Sequence, residues 1–455
     1  MSRMLIRGGC VVTMDARLGE LPQGDVLIEN GRIAAIAPKL AAPDGAETID
    51  ASGMIVMPGL INGHAHTWQA ALRGIAGDWT VARYMQAMHR GLATLYRPDD
   101  IYIANLMGAL NQINNGATTL VDWCHNNPTP EHTDAAIDGL AESGIRAVFL
   151  HGSPKPNPKP GQMHFSEIPM PRHEVERLRK GRCASDAGLL TFGLAILGPY
   201  YSVWEVTRAD VALANELDLI CSMHVGGGTA MTADGFERLA DEGLIKSNFN
   251  VVHGNDIAPK TIGRIVARGG TFTTTAEVEL QMGYGDPLTG ILRSLGAPMA
   301  IGTDVEAISR GDMFTAMRVT LQHERNRAIM EILEKTGSRP IEMPLTCRDA
   351  LAWTTVQGAQ IARLAHRTGS LTVGKDADIV LLSAGDITMF PARDPISSIV
   401  MQGGLAGVDT VLIAGRVMKR GGKLLYPALE EKMETLRRSG DRILTDFGYL
   451  PQRAI

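Results

Sequence analysis

The sequence predicts an α/β fold: a (β/α)8 TIM barrel with a small β-sandwich domain built from both termini. Three observations lead there. Short apolar, strand-like runs alternate with helical stretches between Pro58 and His366. A β-rich block flanks this region at each end. Five side chains suited to bind metal or move protons, His64, His66, His224, His253 and Asp304, fall at or just after the ends of the apolar runs. Chemistry in such barrels sits at the C-terminal ends of the strands.

The elements follow in chain order. Residues 5–12 and 24–36 read as a β-meander with a hairpin turn at Asn30-Gly31, and residues 369–382 and 408–417 have the same texture. Neither block has enough strands to bury a sheet face alone, so the two are expected to pack together. Between them, residues 54–57 lead into His64, and further runs occupy 118–122, 145–150, 190–197, 219–224, 250–253, 270–275 and 298–304. Short buried strands separated by helices imply parallel βαβ units, and eight units close into a barrel. The expected boundaries are 1–57 and 367–425 for the β-domain, 58–366 for the barrel and 426–455 for a charged helical tail. That tail is read as a packing or oligomer contact. The proline-rich stretch 154–161 cannot be helix or central strand, and is expected to be a rigid surface excursion over the barrel mouth.

Composition removes several classes. With 455 residues, 45% hydrophobic and 20% charged, the chain can bury a large core. Its net charge of −5, with no basic stripe, argues against nucleic acid or an anionic membrane as partner. No apolar run approaches the ~20 residues that span a bilayer, and the first residues lack the apolar stretch of a secretory signal. Five scattered cysteines without C-x-x-C spacing suit a reduced, cytoplasmic protein.

His64 and His66 stand one residue apart, and positions i and i+2 of an extended strand point to the same side. Neutral imidazole is a standard metal ligand, so two rings aimed at one point suggest half of a metal site. Taken singly, His253 reads equally well as a hydrogen-bonded core residue, and Asp304 as a helix cap. Their shared position at strand ends favours function. Trp68 and Gln69 on the first βα loop, Tyr200 at the barrel mouth, and Glu277 and Glu279 after the seventh strand are candidate substrate contacts. Tyr201 and Glu306 are placed similarly. His89, His125, His151, His164 and His323 lack such context and read as surface or loop residues, with His125 and His151 the two that could line a pocket.

The order H-x-H, fifth-strand histidine, sixth-strand histidine, eighth-strand aspartate resembles the amidohydrolase superfamily. The similar branch contains cytosine deaminase, guanine deaminase and atrazine chlorohydrolase. Supporting segments are Pro58-Gly59-Leu60-Ile61-Asn62, Gly116-Ala117-Thr118-Thr119, Gly369-Ser370-Leu371 and Gly374-Lys375-Asp376-Ala377-Asp378. The resemblance implies one divalent metal held by His64, His66, His224 and Asp304. It also implies His253 beside the attacking water and Asp304 as the proton shuttle. Three imidazoles and a carboxylate suit zinc, with iron, manganese and cobalt as alternatives. Residues 197–201 contain no lysine to bridge a second metal.

One departure matters. Deaminases of that branch carry glutamate where this chain has Gly227, three residues after His224. Without that acid, attack on a heteroaromatic ring is harder. The leading expectation is therefore a metal-dependent amidohydrolase cleaving a non-peptide C–N bond in an amide, urea or carbamate-like small molecule. Phenylurea and molinate hydrolases of the same superfamily take such substrates. The alternatives are an aminohydrolase or dehalogenase of a nitrogen heterocycle, with Glu277 or Glu279 as substitute acid, and a non-catalytic scaffold of the same fold. Homo-oligomerisation is the habit that the resemblance implies.

Overall fold

The computed structural model describes residues 3–449. The terminal segments supply β1 (Arg3–Val12), β2 (Glu20–Glu29), β3 (Arg32–Ala37), β4 (Glu47–Asp50) and β5 (Met54–Pro58). The barrel consists of β6 (Leu60–Ala65), β7 (Ala117–Cys124), β8 (Arg146–Gly152), β9 (Leu190–Ile196), β10 (Ile220–Val225), β11 (Phe249–His253), β12 (Thr271–Thr274) and β13 (Met299–Ile301). The chain then returns through β14 (Ile379–Ser383), β15 (Val408–Ile413), β16 (Arg416–Arg420) and β17 (Lys423–Leu424). Among the described residues no helix is long and apolar enough to cross a membrane.

The eight parallel strands pair in chain order from β6 to β13, as expected for consecutive βαβ units. Their contacts close through the backbone. The His66 amide donates to the Asp304 carbonyl at 2.8 Å, and the Asp304 amide to the His64 carbonyl at 3.0 Å. Such a close approach requires a residue without a side chain at 302, because a Cβ on Gly302 would lie 2.5 Å from the His64 carbonyl oxygen. Asn62 secures the same seam. Its amide nitrogen donates to Thr303 Oγ1 at 2.7 Å and Gln112 Oε1 at 3.0 Å, while its oxygen accepts from the amides of His64 and Thr303, both at 3.2 Å.

The two terminal blocks form one nine-stranded sheet in which β5 is flanked by β1 and β14. Its apolar face buries Ile6, Val26, Ile28, Val56, Ile379, Leu381 and Leu412 in a core separate from that of the barrel. Neither block could make this core alone, which is the physical reason they join. Residues 54–57, which lead into His64 in the sequence, pair here and not in the barrel. The hydrogen bonding changes sheet in a single step: Gly59 donates to Asp378 of the terminal segment, and Leu60 donates to Gly116 at the start of β7. The first barrel strand is therefore β6.

A buried ion-pair cluster couples the two units on the side of the barrel opposite the site. Arg146, at the first position of β8, donates to Asp378 at 2.6 Å and to Asp376 at 2.9 Å. Arg367 reaches Asp376 at 2.8 Å. This explains the 374–378 segment in physical terms: its two aspartates neutralise an arginine that is wholly out of solvent. The helix Leu429–Phe447 packs on the first βα loop and the helix Pro98–Asn114, through a Ser439–Asp100 hydrogen bond and an Arg442–Asp100 ion pair.

Arg146→Ala leaves two buried carboxylates short of a partner. The expected loss is roughly 3–5 kcal/mol of unfolding free energy, checked by urea denaturation, with Arg146→Lys recovering only part of it.

Candidate metal centre and pocket

His64 lies near the end of β6, with His66 just beyond it. His224 is in β10, His253 ends β11, and Asp304 follows β13. Strand pairing thus brings residues far apart in sequence to one rim. Ligand atoms of His64, His66, His224 and Asp304 all lie within 4.8 Å of one another. Nε2 of His64 and Nε2 of His66 are each 3.3 Å from Asp304 Oδ1, and Nε2 of His224 is 3.1 Å from Nε2 of His64. Ligand bonds of about 2.0–2.1 Å in a tetrahedron put neighbouring donor atoms about 3.3 Å apart. The cluster therefore has the spacing of a four-ligand shell.

Protonation fits the same purpose. Burial pushes the His64 imidazolium down to about 3, and burial with the neighbouring histidines also holds His224 well below its usual range. Neutral rings keep a lone pair for a metal. His66 Nδ1 lies 2.5 Å from the Trp123 carbonyl, which can only accept, so this nitrogen donates and the ring is held with Nε2 toward Asp304. For Asp304, burial favours the neutral acid, but hydrogen bonds from His64 and His66 outweigh it and keep the carboxyl well below the usual carboxylate range. Three imidazoles and an ionised carboxylate can hold a divalent cation, which would displace any proton from the ring nitrogens that face it.

His253 and Asp304 have φ of +65° and +59°, in the left-handed region that side chains other than glycine rarely adopt. Strain of this kind persists where surrounding contacts over-determine it. For His253 those contacts are Glu279, 3.2 Å from Nδ1, and Thr275 Oγ1 at 3.1 Å. Burial disfavours the imidazolium here, but Glu279 and Asp304 more than offset this and raise its pKa. Nε2 then faces Asp304 at 3.9 Å.

The cleft above the cluster is narrow and is walled by Tyr84, His89, His125, Lys155, Tyr201 and Tyr284, with His253 and Asp304 at its base. Several sequence candidates stand one layer back. Trp68 is wholly buried and donates to His125 Nδ1, and Gln69 donates to the Tyr84 hydroxyl. Tyr200 bonds Asp256 and the Gly228 carbonyl, leaving Tyr201 at the wall. Glu279 is turned onto His253, Asn255 and the Thr275 amide. Glu277 lies outside the cleft, near Asp312, and burial pushes its carboxyl up to about 7. Glu306 pairs with Arg73 on the far side of the first loop. At Gly227, φ is +86° and a Cβ would sit 2.8 Å from Val81, so the backbone itself disfavours a side chain there.

His89 and His125 are buried in the cleft wall, where their loops fold inward over the barrel mouth, and His151 is buried within β8 away from the cleft. Since His125 Nδ1 accepts from Trp68, its Nε2 carries the proton donated to His89, 3.2 Å away. The 154–161 segment is likewise divided: Lys155 is buried in the cleft wall and residues 156–163 are exposed. The signal for His125 and Lys155 was available, since each follows a barrel strand by one to three residues. His89 sits on a loop helix far from any strand end and gave none.

The amidohydrolase family matches residues 55–418, and the chain belongs to it. It is a hydrolase of carbon–nitrogen bonds other than peptide bonds. A 5-methylthioadenosine/S-adenosylhomocysteine deaminase of Symbiobacterium thermophilum is 27% identical, over 98% of this chain and 100% of the relative. Among solved structures, a zinc-bound adenosine deaminase from Xanthomonas campestris superposes with a TM-score of 0.81 at 21% identity, covering 98% of this chain and 99% of its own. Atrazine chlorohydrolase from Arthrobacter aurescens TC1, complexed with zinc, gives 0.82 at 22% identity, covering 96% and 100%.

Glu279→Gln removes the charge that favours the His253 imidazolium, so the His253 titration midpoint falls when followed by NMR of its ring protons. Because the folded-state value is the higher one, the pair adds stability below about pH 6.5 and loses it as the pH rises through the folded midpoint. The variant should lack that pH-dependent increment.

Proposed function

We propose that the protein is a zinc-dependent aminohydrolase that replaces the exocyclic amino group of a nitrogen heterocycle with oxygen from water. The observation that carries the catalytic reading is the convergence of His64, His66, His224 and Asp304 beside an oriented His253. The heterocycle is supported by end-to-end similarity to a deaminase of adenosine derivatives. An amide or urea substrate, the leading expectation from sequence, rested on Gly227 alone, and one position weighs less than a match along the whole chain.

His64, His66, His224 and Asp304 would hold the ion. When bound, it lowers the pKa of water and so supplies the nucleophile near neutral pH. Asp304, ionised and at the edge of the cluster, accepts the proton released on attack and passes it to the amino group, which leaves as ammonia. His253 donates from Nε2 to the oxygen being added to the attacked carbon, and Glu279 keeps the ring oriented for that task. Tyr84, Tyr201 and Tyr284 offer flat walls for a ring. We place the enzyme in the cytoplasm, in keeping with its unpaired cysteines, and expect a homo-oligomer, which light scattering checks.

Two measurements test the reading. Metal analysis of the purified protein should find about one zinc per chain. A panel of heterocyclic amines should release ammonia, whereas release of amines from ureas and anilides alone would return the amide reading. His66→Ala should lose metal and activity together. His253→Ala should keep its metal while turnover falls about 10²–10⁴-fold. Full metal retention in both variants would refute the ligand assignment.

A further inference from the structure

Lys155 is the unexplained charge in the cleft. Its side chain is buried, lies in the same wall as His89 and His125, and among the described residues makes neither an ion pair nor a hydrogen bond. Its ammonium nitrogen lies 4.3 Å from the centre of the Tyr201 ring and 5.7 Å from that of Trp123. Ring faces attract a cation, but far less than a carboxylate does. The carboxylates in and around the site are already committed to other partners. Asp304 is shared by His64 and His66, Glu279 is bound to His253, and Asp256 is bound to Tyr200.

The placement is built, not incidental. Pro154 and Pro156 flank Lys155, fixing their own φ and disfavouring helical backbone at the residues before them. This directs one lysine inward while the rest of the segment stays in solvent. An unpaired buried ammonium is unfavourable unless a partner arrives.

We propose that Lys155 is a specificity residue that binds an anionic group on the substrate, so the enzyme's substrates are heterocycles bearing a negative charge. The inference rests on the reading of this cleft as the substrate site. Burial alone pushes the Lys155 ammonium down to about 7, and a bound anion would reverse that by supplying the missing counter-charge. Two sources of the charge share this chemistry: a carboxylate attached to the ring, or a ring that ionises at its own oxo and imide groups.

Calorimetric binding to the zinc-loaded full chain separates them. The probes are uracil (neutral), orotate (ring carboxylate) and barbiturate (ionised ring), each titrated into the wild-type protein and Lys155→Met. Methionine keeps most of the apolar stem against Trp123 and Tyr201 while removing the charge. One or both anions should bind the wild type about ten-fold or more tightly than uracil. That preference should vanish in Lys155→Met, with metal content unchanged and thermal stability equal or higher. Orotate alone would identify a carboxylate, and barbiturate alone a ring-borne charge. Anions that bind the wild type no better than uracil, or not at all, overturn the proposal, as does a preference that persists in Lys155→Met. Because the readout is binding, anion preference without ammonia release from any amine would retain the lysine's role and remove the aminohydrolase reading.

Discussion

The backbone hydrogen bonds that close the barrel are made by the residues that converge in the site. His66 donates to Asp304, and Asp304 donates to the carbonyl of His64. Closure and site assembly are therefore one event. A barrel open at this seam would separate the β6 pair from the aspartate, whatever the side chains were. Gly302 permits the approach, and Asn62 ties both sides of the seam through His64 and Thr303 with three hydrogen bonds. The positive φ at Asp304 belongs to the same constraint: the backbone pairs with β6 while the carboxylate turns toward the three imidazoles. Without those contacts, the left-handed conformation would relax.

Burial sets the chemistry around that seam, with consequences that depend on partners. Burial makes neutral bases of His64 and His224, and at His64 it does so against the Asp304 carboxylate 3.3 Å away. His253 is equally buried but has Glu279 behind it, so it leans toward the imidazolium. Asp304 escapes protonation because two ring nitrogens face it. One low-dielectric cavity thus contains bare ligands, an ionised proton acceptor and a hydrogen-bond donor, distinguished only by hydrogen-bond geometry. Lys155 departs from this pattern, since its protein neighbours offer ring faces and no anion.

The terminal sheet contributes at a distance. Its strands come from both ends of the chain, and Asp376 and Asp378 clamp Arg146 at the start of β8. The clamp lies at the opposite end of the strands from the catalytic rim, where a barrel carries stability and not chemistry. This separation leaves the loops at the rim free to vary in shape. Here they crowd the mouth with Tyr84, His89, Tyr201 and Tyr284, and Gly226 lets the Tyr284 ring approach.

The sequence alone determined the barrel and the five polar residues of its rim. Both follow from local periodicity and from the rule that strand ends carry function, neither of which needs a distant contact. It also determined that both termini share one sheet, because neither could bury a face unaided. What it could not determine was the direction of each loop. Trp68, Gln69 and Tyr200 stand beside cleft residues in sequence yet turn into the packing behind them, whereas His89 and Lys155 turn inward from segments that read as solvent-facing. Residues 54–57 likewise have the composition of any buried strand, and their partners, β1 on one side and β14 on the other, come from opposite ends of the chain. Loop direction and sheet choice are settled by which partners arrive from far along the chain, and local pattern carries no record of that.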